Sequence, residues 1–267
     1  MNRKLSVILA MGLLLAGMAS AQKVSFKDPT GDDNGPGNYT YPTDAVYKRG
    51  SFDMTGFDVE AKGGKVDFDV TLNSPLEDPW RMGGGFSVQM IFIFINNKEG
   101  GFTDGPPGTN IHFAPGSEWD HLVILSPQPP GTVKNEVQAK MPGDTQAAVH
   151  VPSRTKGAGR TISGTVGLDE LGGGDPSQWG YQVAVQSNEG FPDKTDLLTR
   201  KVNEYEGQHR FGGGTDSDCD PHVMDVLAGA GAGGADEAQA QHDMLKYECN
   251  PDGSAKQMAT IKMVTKQ

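Results

Sequence analysis

The chain has 267 residues, with 34 acidic side chains against 23 basic ones and a formal charge of −11. A surface this acidic repels nucleic acid and anionic lipid and attracts cations, so nucleic-acid binding is set aside at the outset. The length fits one large all-β domain or two small ones.

Residues 1–21 read as an export signal. Arg3 and Lys4 precede an apolar run from Leu5 to Met18, and Ala19-Ser20-Ala21 has the small-residue pattern of a cleavage site. The run is shorter than the ~20 residues that span a bilayer, and no later segment is apolar enough to re-enter one. The mature chain, residues 22–267, is therefore expected to be secreted, periplasmic or associated with the cell envelope. Losing Arg3 and Lys4 takes its formal charge from −11 to −13.

Next comes a stretch, Asp28 to Pro42, that no helix or regular strand can hold, because glycines and prolines interrupt it throughout. It places Asp28, Asp32 and Asp33 in turns, and Asp53 follows in the next segment. Hard cations take six to eight oxygens in flexible geometry, which a turn-rich acidic loop can supply. The expected ion is calcium, on Asp28, Asp32, Asp33 and Asp53. Asx turns and helix caps are the alternative use of the same carboxylates, and the spacing is not that of an EF-hand.

From Ser51 onward the period is mostly two. Lys65 to Leu72 alternates, with Val66, Phe68, Val70 and Leu72 on one face. Ser87 to Asn96 starts by alternating and becomes continuously apolar, which predicts a central strand buried on both faces. Further strands are predicted over 121–126, 133–141, 147–151, 160–166 and 181–187, each bounded by turn residues. Many short strands between turns argue for an antiparallel sandwich or barrel.

The C-terminal region differs. Residues 229–234 form an Ala/Gly linker, 236–247 has good helix formers with a weak apolar stripe, and 259–264 reads as a last strand. Cys219 and Cys249 are expected to pair in an oxidising compartment, since neither belongs to a C-x-x-C metal pair. Asp216, Asp218 and Asp220 surround the first of them as a second acidic cluster.

No motif for catalysis occurs. There is no H-E-x-x-H spacing and no G-x-S-x-G elbow, so no catalytic residue is assigned. Tyr39, Tyr41, Trp80, Trp119 and Trp179 lie in or beside loops. Flat rings there suit the apolar face of a sugar, while tryptophans that plug the ends of a sandwich are the alternative, favoured for Trp119 and Trp179.

Several of these segments recur in serial order in a known family. The opening loop, Tyr39-Thr40-Tyr41-Pro42-Thr43, the run Gly50 to Val59, Asp78-Pro79-Trp80, the run Gly84 to Gln89, Phe211-Gly212-Gly213-Gly214 and the run Asp220 to Leu227 resemble the glucodextranase C-terminal domain family. The resemblance implies an all-β antiparallel sandwich, DOMON-like or of immunoglobulin-like jelly-roll type, related to family 9 carbohydrate-binding modules, here with a short C-terminal helical segment. It implies a non-catalytic module that binds carbohydrate or associates with the cell surface; the loop-side aromatics Tyr39, Tyr41, Trp80 and Trp119 are the candidate sugar contacts by their placement. It also strengthens the calcium reading of the loop. The segment between Cys219 and Cys249, with its Ala/Gly insertion, departs from the family. The expected partner is a glycan or envelope polysaccharide. Two alternatives stand beside it: a b-type haem carrier using Met82, Met90, His112 or His121, with haem not expected, and a structural subunit of a surface-layer or outer-membrane complex.

Overall fold

Alternation of apolar and polar residues becomes two stacked sheets in the computed structural model, which describes residues 22–217 and 219–266. The expected export signal, residues 1–21, lies outside the described residues. In chain order the strands are β1 (Gln22–Lys27), β2 (Met54–Lys62), β3 (Lys65–Leu72), β4 (Gln89–Asn96), β5 (Ile111–Phe113), β6 (His121–Leu125), β7 (Val149–His150), β8 (Thr155–Ala158), β9 (Thr161–Gly167), β10 (Gly180–Ser187), β11 (Asp225–Val226), β12 (Glu248–Cys249), β13 (Ala255–Gln257) and β14 (Ala259–Ile261). Helix α1 covers Pro130–Lys140 and α2 covers Ala235–Met244.

One sheet has the order β1-β2-β3-β9-β8 and is antiparallel throughout. The other has the order β11-β10-β4-β6-β7, antiparallel except for the short β6–β7 pairing. Two small pairs, β12–β13 and the parallel β5–β14, complete an all-β sandwich. No helix among the described residues is long and apolar enough to cross a membrane.

Burial on both faces of β4 explains its unbroken apolar run. Ile91, Ile93 and Ile95 join Phe57, Phe68 and Val70 of the first sheet in the core between the sheets. Met90, Phe92 and Phe94 face the other way into a second core with Trp119, Leu122 and Val137. The first sheet has one polar outer face instead, where Asp69 accepts the Ser163 hydroxyl at 2.5 Å across the β3–β9 pairing.

Residues 133–141, expected as a strand, lie in α1 apart from Met141, which caps it. Val133 and Val137 are its buried residues, one helical turn apart, so the spacing that mattered was four rather than two. Pro130 sits in the first turn, where its missing N–H costs nothing, and Met141 turns extended before Pro142. The other strand expectations fall on β6, β7, β9 and β10, and the C-terminal helix on α2.

Candidate cation centre and adjoining surface

The acidic loop leaves β1 at Asp28, and the chain rejoins the first sheet at β2. Gly35, at φ +58°, reverses the chain where a Cβ would strike the Tyr39 ring, so only glycine fits. Its N–H donates to the Met224 carbonyl at 2.8 Å, which seats the loop beside β11.

That seating brings together three carboxylates from distant parts of the chain. One oxygen each from Asp28, Asp32 and Asp225 lies within 4.8 Å of the others. These residues are 5%, 3% and 0% exposed. Both oxygens of Asp28, both of Asp32 and Oδ1 of Asp225 have no hydrogen-bond partner. The remaining Asp225 oxygen accepts the Met54 N–H at 2.6 Å. Burial, reinforced by the neighbouring carboxylates, pushes Asp28 and Asp225 well above the ordinary carboxylate range, and burial pushes Asp32 up to about 7. Three buried acids with orphaned oxygens form a donor set that hard cations prefer, and such a cation would relieve both the repulsion and the unmade bonds.

Two of the four expected ligands, Asp28 and Asp32, belong to this trio. Asp33 is half-buried and outside the trio, and its carboxylate accepts the Tyr41 hydroxyl. Asp53 is buried beside the trio, and its Oδ2 accepts the Gly31 N–H at 2.8 Å and the Asn73 amide at 2.9 Å. The third member, Asp225, lies outside the expected set; an aspartate inside the apolar run from Val223 to Leu227 is the kind of buried charge that calls for a partner. Of the second acidic cluster, Asp218 lies outside the described residues. Asp216 accepts the Glu204 N–H, and Asp220 accepts the Thr215 hydroxyl and N–H.

Helix α2 clasps the loop from behind. Glu237 accepts N–H groups from Ala230, Ala232, Gly233 and Gly234, fastening the Ala/Gly segment as a turn. One helical turn later, Gln241 accepts the Val226 N–H at 2.8 Å and donates to the Asp32 carbonyl. His242 and Asn34 meet at 3.1 Å. The disulfide Cys219–Cys249, with Cα atoms 5.6 Å apart, closes the segment that carries β11 and α2.

The aromatic candidates divide by burial. Trp119 is fully buried in the second core, its indole N–H donating to the Asp104 carbonyl at 2.9 Å. Tyr39 is 6% exposed and donates to the Pro221 carbonyl at 2.7 Å. Tyr41 is half-buried between Asp33 and the Phe52 N–H. Trp80, 37% exposed, packs edge-on against Tyr47 and His209. The side chains considered for haem are dispersed in role: Met90 fills the second core, His112 meets Asp104, and His121 meets His150.

The family model for the C-terminal, SLH-like binding module of glucodextranase matches residues 24–264. No curated protein gives a significant match.

Proposed function

The chain belongs to the family of C-terminal, SLH-like binding modules of glucodextranase, and from that premise we propose that it is an exported, non-catalytic module that binds a glycan of the cell envelope or its surroundings and is held in its binding form by calcium. The matched family is a binding module rather than a catalytic part, and the match runs through both sheets.

The observation that carries the calcium reading is the convergence of Asp28, Asp32 and Asp225 with their oxygens unpaired. Left alone, three desolvated carboxylates repel one another and forgo hydrogen bonds. A divalent cation supplies the missing partner and ties the loop to β11. Its role here is to order the loop, with no chemistry of its own. Export is supported by the character of residues 1–21 and by the disulfide, which suits an oxidising compartment.

Melting curves in calcium and in a chelator, each with and without soluble glucans and purified envelope polysaccharide, test both parts. A ligand that prefers the folded form stabilises it by mass action, ~2.7 kcal/mol at a hundred times its Kd. Calcium is expected to raise the melting temperature, and a binding glycan to raise it further. Identical curves in calcium and chelator would remove the metal, and absence of any glycan response together with absence of retardation in polysaccharide gels would remove the binding role.

A further inference from the structure

We propose that a stretch of a neutral glycan chain lies across one end of the sandwich from Trp80 to Phe191, stacking on both exposed rings and bonding to the paired charges between them. The proposal rests on the glycan-binding reading above and gives it a place, a mode of contact and a ligand class.

Among the described residues the exposed large apolar side chains are Trp80, Phe191, Tyr205 and Met258. Trp80 and Phe191, 37% and 96% exposed, stand on loops at the same end, since the first joins β3 to β4 and the second follows β10, whose Ser187 lies opposite Gln89 at the start of β4. Both loops are pinned. Asp78 accepts the Met82 and Gly83 N–H groups at 2.7 and 2.8 Å and the Ser87 hydroxyl, which itself accepts the Trp80 N–H. Beyond β10, the Glu189 N–H donates to the Leu198 carbonyl at 2.9 Å, and Lys140 donates to the carbonyls of Asp193 and Asp196. Arg81 and Leu198, one in each loop, both hold left-handed backbone at φ +53°, which costs a residue with a Cβ some energy. Displaying apolar rings rigidly in water does nothing for the fold, whereas it lowers the ordering cost of a ligand that covers them.

The ground between the two rings is continuous. Tyr47 and His209 each pack against Trp80 with ring centroids 6.3 Å apart. The Tyr47 hydroxyl is within electrostatic reach of Arg200 and Glu189, and Arg210 follows His209 in the chain. Arg200, Glu189 and Arg210 in turn line one depression with Phe191.

Its chemistry selects the ligand class. In that depression Glu189, Asp193 and Asp196 stand against Arg200, Lys201 and Arg210, so the charges balance. Arg200 meets Glu189 at 3.0 Å and Lys201 meets Asp193 at 3.1 Å, and near the other ring Lys48 pairs with Glu77, three residues before Trp80. Sugar hydroxyls both donate and accept, so they can join such pairs at donor and acceptor alike without separating the charges. A polymer of carboxylates must compete with the acids already paired there, on a protein at −11. Flat rings at the two ends take the apolar faces of pyranoses. Two isolated rings divided by paired charges lack the contiguous apolar centre of a protein interface, which favours the glycan as occupant.

Affinity gel electrophoresis in excess calcium tests the assignment, with pullulan and amylopectin as neutral polymers and polygalacturonate and alginate as anionic ones. The intact protein is expected to be retarded by a neutral polymer and not by the anionic ones. Trp80→Ala should weaken retardation at least about 10-fold and Phe191→Ala about 5-fold. Phe191 is almost wholly in solvent, so its variant should melt with the parent, and any loss of retardation there reads contact rather than folding. Retardation by neutral polymers that both variants retain in full overturns the location while leaving the glycan-binding reading intact. A loss confined to one variant overturns the two-ended surface. Retardation by an anionic polymer overturns the ligand class. No retardation by any of the four overturns the site together with the reading beneath it.

Discussion

The side-chain amide of Gln241 donates to the backbone carbonyl of Asp32 across 209 residues of chain, while its own carbonyl oxygen receives the Val226 N–H at 2.8 Å. One buried glutamine thus sets the distance between the acidic loop and the strand carrying Asp225. Replacing Gln241 by alanine strands both backbone groups, at a cost of ~1–3 kcal/mol. It should also weaken calcium binding, because the two halves of the carboxylate trio are no longer held in register. Calorimetric titration with calcium checks this; an unchanged affinity in a destabilised variant would make Gln241 a purely structural brace.

Asp225→Asn should reverse sign with the metal. In chelator the substitution removes a fully buried carboxyl that desolvation, and then the charges of Asp28 and Asp32, push well above the ordinary range. The amide oxygen can still accept the Met54 N–H. The variant is therefore expected to melt above the parent in chelator, by ~1–3 kcal/mol of stability, and below it in saturating calcium. Melting below the parent in both conditions would assign Asp225 to the fold alone.

How much of this arrangement can be read from the residues depends on what each element buries. The β3 alternation and the β4 run are legible because one and two apolar cores, respectively, receive their side chains. Helix α1 is misread as a strand because its two valines carry β propensity, which is weaker information than their spacing of four. Helix α2 shows only a faint apolar stripe for a different reason: the residues it buries are Glu237 and Gln241, polar groups satisfied by backbone from elsewhere. The loop acids at 28 and 32 stand out through their turn-rich surroundings. Asp225 does not, since its partners are neighbours only after the sheets close.

Reduction of the Cys219–Cys249 bridge should loosen the clasp without unfolding the sandwich. The bridge spans 30 residues and encloses β11, the Ala/Gly turn and α2. In the chain-entropy model a loop of that length contributes ~3–4 kcal/mol. Cys249→Ser is expected to lower stability by about that amount and to reduce calcium affinity, with the sheet content in circular dichroism preserved. A full loss of sheet signal at room temperature would instead make the bridge a condition for folding.

Tyr39→Phe tests whether this buried tyrosine, expected from its loop position to contact sugar, has a structural role instead. Its hydroxyl donates to the Pro221 carbonyl inside the protein, so removal should cost ~1–2 kcal/mol and leave polysaccharide retardation unchanged. A loss of retardation by a polymer that retards the parent, in a variant that stays folded, would place Tyr39 at the glycan.

A pair of histidines outside the carboxylate trio also titrates with folding: His121 on β6 and His150 on β7 face each other with Nδ1 and Nε2 3.0 Å apart. That bond needs one ring N–H and one bare ring nitrogen, so it breaks when both rings are protonated. Burial, with His150 and Lys98 adding to it, pulls His121 down to about 4, and burial also lowers His150, opposed by Glu170. Folded pKa values below the ordinary histidine value of 6.5 mean that the unfolded chain binds more protons. The contribution to stability is therefore complete above pH ~6.5 and is lost as pH falls towards 4. Because both rings are partly solvated, ~1–2 kcal/mol is expected, less than the His121 shift alone implies. His150→Asn retains a polar side chain that does not titrate, so stability differences between parent and variant, measured by denaturant titration at pH 7.5 and pH 4.5, isolate the pair from the carboxylates. The variant should lose less stability than the parent over that interval. Parallel losses would mean that the two rings titrate alike in the folded and unfolded chains.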